Sequence, residues 1–113
     1  MSATDVMSCV ASCGIPCVRN AWPKGSAPRL PWATFALDEC AGSYADNSVY
    51  AEKNSWYVEL YQETNDQELE NALEAAIQSW FGPYMKTEAW VDSESCVQTT
   101  YYFTDIEKEV NDG

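Results

Sequence analysis

The sequence predicts an α+β domain: a mostly antiparallel four- to five-stranded sheet with one long helix packed on it and a short N-terminal helix. Residues 56–61 and 97–103 alternate bulky and polar side chains with the two-residue period of a strand. Residues 66–81 repeat apolar side chains with the period of a helix. The 113 residues, 46% of them hydrophobic, suffice for one domain with its own core. We therefore expect a single domain over 1–113, with flexible ends at 1–4 and 106–113.

The N-terminal part predicts a short helix and two strands. Residues 4–13 form the helix, which Thr4 or Asp5 caps and which ends at Gly14-Ile15-Pro16. Strands are expected at 17–22 and 32–38. The proline-rich stretch 23–31 between them predicts an exposed loop. Residues 39–48 predict a long, turn-rich connection with Asp46-Asn47 at its turn.

Residues 49–63 are the strongest strand signal. Trp56, Val58 and Leu60 point to one face of the sheet. The opposite face carries Tyr57, Glu59 and Tyr61, an aromatic and acidic set. A helix is expected to cover the apolar face, and another subunit could cover the other.

The longest helix is predicted at 66–81. Asn65 is the expected N-cap, with Glu68 three residues later, and Gly82-Pro83 ends the helix. Glu68, Glu70 and Glu74 are predicted to lie mostly outside its apolar stripe. That stripe consists of Leu69, Ala72, Leu73, Ala76, Ile77 and Trp80.

The C-terminal part predicts a hairpin of strands 85–91 and 96–104 around a turn at 92–95. Val97, Thr99, Tyr101 and Phe103 share one face of the second strand. Gln98, Thr100 and Tyr102 share the other face. The polar residues that follow are expected to fray.

Composition excludes several classes of function. The chain has no histidine, which removes histidine-based catalysis and histidine metal sites. The formal net charge is −12, which disfavours binding to nucleic acids and to anionic membranes. The acidity fits a solvated face, a docking surface for a basic partner, or a wall that DNA slides past. The sequence shows neither a transmembrane run nor a signal peptide, so we expect a protein made in a reducing cytoplasm.

Cys9, Cys13 and Cys17 are spaced by four residues, which on a helix would place three thiols on one face. Such a set could hold a metal. However, Gly14 and Pro16 end any helix before Cys17, so buried free thiols are the favoured interpretation. No metal or cofactor is expected.

The sequence predicts no catalytic site. The carboxylate pairs Glu68/Glu70, Glu107/Glu109 and Asp92/Glu94 follow from the abundance of acidic residues. There is no phosphate-binding glycine loop, and the calcium-loop pattern is missing. A carboxylate-based hydrolase would need a cleft with a perturbed pair of carboxylates, so we expect a protein that is not an enzyme.

Three stretches, in this order and spacing, carry a resemblance to a known family. The first is Gly14-Ile15-Pro16 with residues 21–23 (AWP) and 27–32 (APRLPW). The second is 44–50 (YADNSVY) with 57–61 (YVELY), and the third is 88–94 (EAWVDSE). Over residues 14–104 the chain resembles the tail terminator proteins of long, non-contractile-tailed bacteriophages, also called tail completion or head–tail joining proteins.

The resemblance implies a structural virion protein with a small α/β fold. Such proteins form a hexameric ring that caps the tail tube, stops its growth and accepts the head connector or stopper protein. DNA passes through the ring without specific binding. The expected location is the head–tail junction of the virion, after synthesis in the bacterial host cytoplasm. The alternative is a small acidic DNA mimic that inhibits a basic partner.

Candidate contact residues follow from these expectations. Loop 24–31 contributes two of the few cations, and the connection at 40–50 is long enough to suggest a functional loop. Further candidates lie on the aromatic and acidic face of the strand at 49–63 and in the acidic turn at 92–95. The candidates are Lys24, Arg29, Tyr44, Asp46, Asn47, Tyr50, Tyr57, Glu59, Tyr61, Asp92 and Glu94. A solvated loop and ordinary sheet packing are the alternative interpretations.

Overall fold

A computed structural model describes residues 3–45 and 49–108, with the side chains of 3–38 and 54–104. This part of the chain is α+β, as predicted, and contains a five-stranded sheet and two α-helices. A 3-10 helix, Asp92–Glu94, lies between the last two strands. The elements are α1 (Ala3–Ala11), β1 (Cys17–Arg19), β2 (Trp32–Ala45), β3 (Val49–Gln62), α2 (Gln67–Trp80), β4 (Tyr84–Val91) and β5 (Cys96–Lys108).

The sheet is mixed rather than purely antiparallel. Its strand order is β1-β2-β3-β5-β4. The pairings β2–β3, β3–β5 and β5–β4 are antiparallel, but β1 runs parallel to β2. Strand β1 also ends at Arg19, earlier than the predicted residue 22, because the chain turns away at Asn20, whose φ is +67°. Residues 20–31 then form the connection between the two strands, since parallel neighbours cannot be joined by a tight turn.

The prediction of a long connection over 39–48 was wrong. Strand β2 continues to Ala45 and β3 begins at Val49, with Gly42 opposite Glu52 in the ladder. Gly, Ala and Ser have little strand preference of their own, but pairing with β3 holds them extended. The predicted turn residues Asp46 and Asn47 lie outside the described residues.

Strand β5 also continues further than predicted. It runs to Lys108, beyond the expected fraying point at 106, because residues 104–108 pair with residues 51–55 of β3. We call the three paired stretches 39–45, 49–55 and 104–108 the arm. The arm begins where the core ends: it extends past Trp56, the first core residue of β3, and past Phe103, the last core residue of β5. Residues 1–2 and 109–113 lie outside the description.

Both α-helices cover the same face of the sheet. The predicted apolar face of β3 is buried, with Val58 and Leu60 at 0% exposure. The face of β5 that carries Val97, Thr99, Tyr101 and Phe103 is buried as well. Full burial of one such aliphatic side chain contributes about 2 kcal/mol. The core consists of Val6, Cys9, Val10, Ile15, Ala33, Phe35, Trp56, Val58, Leu60, Leu73, Ile77, Tyr101 and Phe103.

Helix α2 differs from the prediction at its N-terminus and in its buried stripe. Its N-cap is Asp66 rather than Asn65, because the Asp66 carboxylate accepts hydrogen bonds from the backbone N–H groups of Glu68 and Leu69. Glu70, predicted to lie outside the stripe, is buried beside Leu73 and Ile77. Ala72 and Trp80, predicted inside it, are exposed.

The end of α2 agrees with the predicted stop. The N–H groups of Phe81 and Gly82 both donate to the carbonyl of Ile77. Gly82 has a φ of +111°, a backbone conformation that favours glycine. The chain can therefore turn directly into β4. None of the helices in the described part of the chain combines the length and apolar content that crossing a bilayer requires.

Candidate interaction surface

The sheet face opposite the helices, here called the open face, has no helix on it in the described part of the chain. Its positions follow from the strand register, since alternate side chains point to opposite sides. The predicted aromatic and acidic set of β3 lies here. Its described side chains include Trp32, Thr34 and Ala36 of β2, Tyr57, Glu59 and Tyr61 of β3, Gln98, Thr100 and Tyr102 of β5, and Met85, Thr87 and Ala89 of β4.

A hydrogen-bonded group lies at the centre of the open face. The Gln98 side-chain amide donates to Glu59 Oε2 at 2.7 Å and to the Tyr61 hydroxyl at 2.8 Å. The Thr34 hydroxyl donates to Glu59 Oε1 at 3.2 Å. These contacts across three strands hold the Glu59 carboxylate in one position.

One end of the open face forms an aromatic cavity. The rings of Trp32 and Tyr61 lie 4.5 Å apart between centroids, and Trp22 meets Trp32 edge-on at 6.0 Å. Trp22 comes from the 20–31 connection, which folds back over this end of the sheet. The cavity has a volume of about 320 Å³, and Glu59, Glu94 and Lys24 also line it.

The other end of the open face is apolar and uncovered. Tyr57 and Tyr102 are directly opposite each other on neighbouring strands, with ring centroids 6.0 Å apart. Met85 follows on β4 and is 65% exposed, and Tyr102 is 38% exposed. Burial, with the negative charges of Glu59 and Asp38, raises the pKa of Tyr57. This end therefore presents neutral aromatic and thioether groups, with Asp38 at its border.

The structure brings together only part of the predicted site. Lys24, Glu59, Tyr61 and Glu94 share the aromatic cavity, and Tyr57 lies further along the same face. Arg29 is exposed on the 20–31 connection. Among the described side chains, Asp92 is not part of this group.

Five predicted contact residues remain: Asp92, Tyr44, Tyr50, Asp46 and Asn47. Asp92 begins the 3-10 helix and accepts a hydrogen bond from Trp90 Nε1 at 3.3 Å. Tyr44 and Tyr50 are paired across the β2–β3 ladder, and their side chains are not described. Asp46 and Asn47 lie outside the description.

Sequence reasoning missed Trp22, Trp32, Gln98 and Tyr102 as parts of this surface. The alternation in β5 placed Gln98 and Tyr102 on one face of that strand, but nothing in the pattern showed that β5 lies beside β3. The aromatic cavity depends on the fold of the 20–31 connection, which brings Trp22 to Trp32. No local signal in a proline-rich loop specifies such a contact.

A second cluster, not predicted, joins α2 to the edge strand β4. Lys86 Nζ lies 3.0 Å from Glu70 Oε1 and 2.6 Å from Glu74 Oε2. Glu70 Oε2 accepts from Gln62 at 3.0 Å and from Asn65 at 2.9 Å. The Tyr101 hydroxyl donates to Glu74 at 2.8 Å. These contacts give hydrogen-bond partners to the carboxylate of Glu70, a residue that is only 2% exposed.

The electrostatics of this cluster fit a structural role. Burial alone would raise the pKa of both carboxyls, but hydrogen bonds outweigh it and hold the pKa values of Glu70 and Glu74 below their ordinary range. The hydrogen bond to Glu74 in turn raises the pKa of Lys86. A general acid needs a raised pKa and a partner with a different one. Here both carboxylates are held ionised.

The four described cysteines, Cys9, Cys13, Cys17 and Cys96, are free thiols. Cys9 and Cys96 are buried, as expected, whereas Cys13 and Cys17 are only half-buried. Burial, with the proximity of Cys13 and Cys17, raises the pKa of Cys9 to about 12. Burial also raises the pKa of Cys17 to about 12, so both thiols stay protonated near neutral pH. Among the described residues, no group of three or more His, Cys, Asp or Glu side chains is arranged to hold a metal ion.

Comparison with known proteins returned no relative: the chain matches no protein-family model and no curated protein.

Proposed function

We propose that this protein is a structural subunit, without catalytic activity, that associates with copies of itself through the open face of its sheet. The observation that carries the proposal is the uncovered aromatic surface formed by Tyr57, Tyr102 and Met85. Tyrosine and methionine are enriched at protein interfaces, and charged residues are depleted at interface centres. The described helices pack on the other face of the sheet, whereas no helix of the described part of the chain covers the open face.

We further propose that the assembly is a ring, of six copies by the resemblance, that ends a phage tail tube and joins it to the head connector. The support is the resemblance over residues 14–104, together with a net charge of −12 per subunit. A ring of such subunits with acidic residues around its lumen would repel DNA and let it pass without sticking. The tail tube protein and the connector would be its partners in the virion.

Sedimentation of the purified protein tests the self-association. We expect an assembly larger than the monomer, and we expect the Tyr57→Ser/Tyr102→Ser double variant to be a monomer with an unchanged circular dichroism spectrum. Trp90→Ser is the matched control, because Trp90 is 57% exposed on β4 but its side chain points away from the open face. Equal sedimentation of the double variant and the wild type would contradict the proposed interface.

Electron microscopy of phage particles that lack this gene tests the role in the tail. A tail terminator both stops tube growth and permits head attachment, so its loss should give abnormally long tubes beside filled, unattached heads. Complementation with the wild-type gene should restore joined particles. Tails of normal length that are still fixed to heads would overturn the assignment.

A further inference from the structure

The aromatic cavity at one end of the open face is a site in its own right. Trp22, Trp32 and Tyr61 form three aromatic walls, with the centroid distances of 6.0 and 4.5 Å given above. Glu59 and Glu94 bring two carboxylates to the lining, and Lys24 brings one cation. The volume of about 320 Å³ is at the lower end of the range for ligand pockets, about 300–1,000 Å³, and suits a single side chain.

The chemistry of the lining selects a cation. Aromatic faces attract ammonium and guanidinium groups through the ring quadrupole. Thr34 and Gln98 hold the Glu59 carboxylate on the sheet, and each of its oxygens keeps a further lone pair for a ligand. The same carboxylate, together with burial, raises the pKa of Tyr61, so this hydroxyl stays neutral beside the cation.

We propose that this cavity binds the guanidinium group of an arginine side chain from a basic partner protein. A guanidinium is planar and carries five donors, so it can stack on Trp32 while it bonds to a carboxylate. Lysine has no plane to stack and is more strongly hydrated. The net charge of −12 attracts a basic partner over long range. The proposal does not depend on self-association through the Tyr57 and Tyr102 end of the face.

The chain's own cations favour an external donor. Lys24 lies in the wall of the cavity, but no carboxylate of the described side chains is within ion-pair distance of Lys24 or of Arg29. Arg29 is exposed on the same connection as Trp22, so the variants below include Arg29→Gln to detect a second copy as the occupant.

The test is a titration of the whole protein with Nα-acetylarginine amide, followed through the indole N–H signals of its tryptophans by NMR. Nα-acetylcitrulline amide, which has nearly the same shape without the charge, is the control ligand. We expect saturable shifts of Trp22 and Trp32 with the arginine derivative only, while Trp80 and Trp90 stay unchanged. Equal shifts with citrulline, or none up to the solubility limit, would overturn the proposal.

Variants then locate the site. Glu59→Gln should weaken binding by about threefold to tenfold, and Glu94→Gln should do the same from an exposed turn where the change leaves folding intact. Lys24→Ala should strengthen binding, because it removes a like charge from the cavity wall. Unchanged affinity in both glutamine variants would contradict the site. Loss of self-association in Arg29→Gln would also contradict it, since the occupant would then be a second copy.

Discussion

Glu70 shows how one buried charge orders its surroundings. Its carboxylate is held by three side chains, Gln62, Asn65 and Lys86, which come from three different segments of the chain. A buried carboxylate without partners would cost several kcal/mol, so these donors must be in place when α2 docks. The cluster therefore fixes the position of α2 relative to the edge strand β4.

Glu70→Gln should lower the free energy of unfolding at pH 7 by about 1–3 kcal/mol, since it removes charge-assisted hydrogen bonds. The pKa of Glu70 is lowered on folding, so its contribution is present above its ordinary pKa of 4.5 and is lost as the pH falls through the folded value. The difference between wild type and variant should therefore shrink as the pH falls from 7 to values below this ordinary pKa. Urea unfolding across this range measures it.

Glu63→Gln is the matched control for this measurement. Glu63 is exposed and makes no hydrogen bond or ion pair within the described part of the chain. Its substitution should change the free energy of unfolding by less than about 0.5 kcal/mol, both at pH 7 and at acidic pH. A Glu70→Gln difference that stays constant with pH would show that the carboxylate charge does not contribute.

At the scale of elements, the two-residue alternation in the sequence was enough to predict strands and their buried faces, but not which strands pair with each other. The alternation in Trp56, Val58 and Leu60 was enough to predict the buried face of β3, because burial on one side of a sheet imposes that pattern. By contrast, no local pattern in the sequence of β1 indicates that it pairs with β2 in parallel. The extension of β2 through Gly42 and Ser43 depends on β3 as its neighbour, and tertiary pairing overrides propensity there.

Helix α2 was also only partly predictable, and the part that was missed concerns a polar residue. Its length and its stop at Gly82 were largely predictable from composition and capping residues. The burial of Glu70 was not, because a pattern of apolar residues treats every glutamate as outward-facing. Gln62, Asn65 and Lys86, which come together only in the folded chain, make an inward glutamate favourable. The aromatic cavity escaped prediction for a related reason, since Trp22 and Glu59 meet only in the folded chain.

On the scale of the whole molecule, a two-layer fold leaves one sheet face for partners. The helices supply one layer and the open face has none in the described part of the chain, while the long arm extends the sheet beyond the core. The net charge of −12 acts on every association of this molecule. It opposes contact between copies and favours contact with a basic partner.

This charge separates self-assembly from the alternative of an acidic DNA mimic by the sign of the salt effect. If copies associate through Tyr57, Tyr102 and Met85, added salt screens their mutual repulsion and strengthens the apolar contact, so the assembly should grow between about 50 and 500 mM NaCl. A DNA mimic would instead lose its basic partner over the same range, as ion pairing is screened. Sedimentation of the protein alone across this range measures the first effect. An assembly that dissociates as salt rises would show that ion pairs, such as those available to Lys24 and Arg29, hold the copies together, and the aromatic end of the open face would then not be the interface.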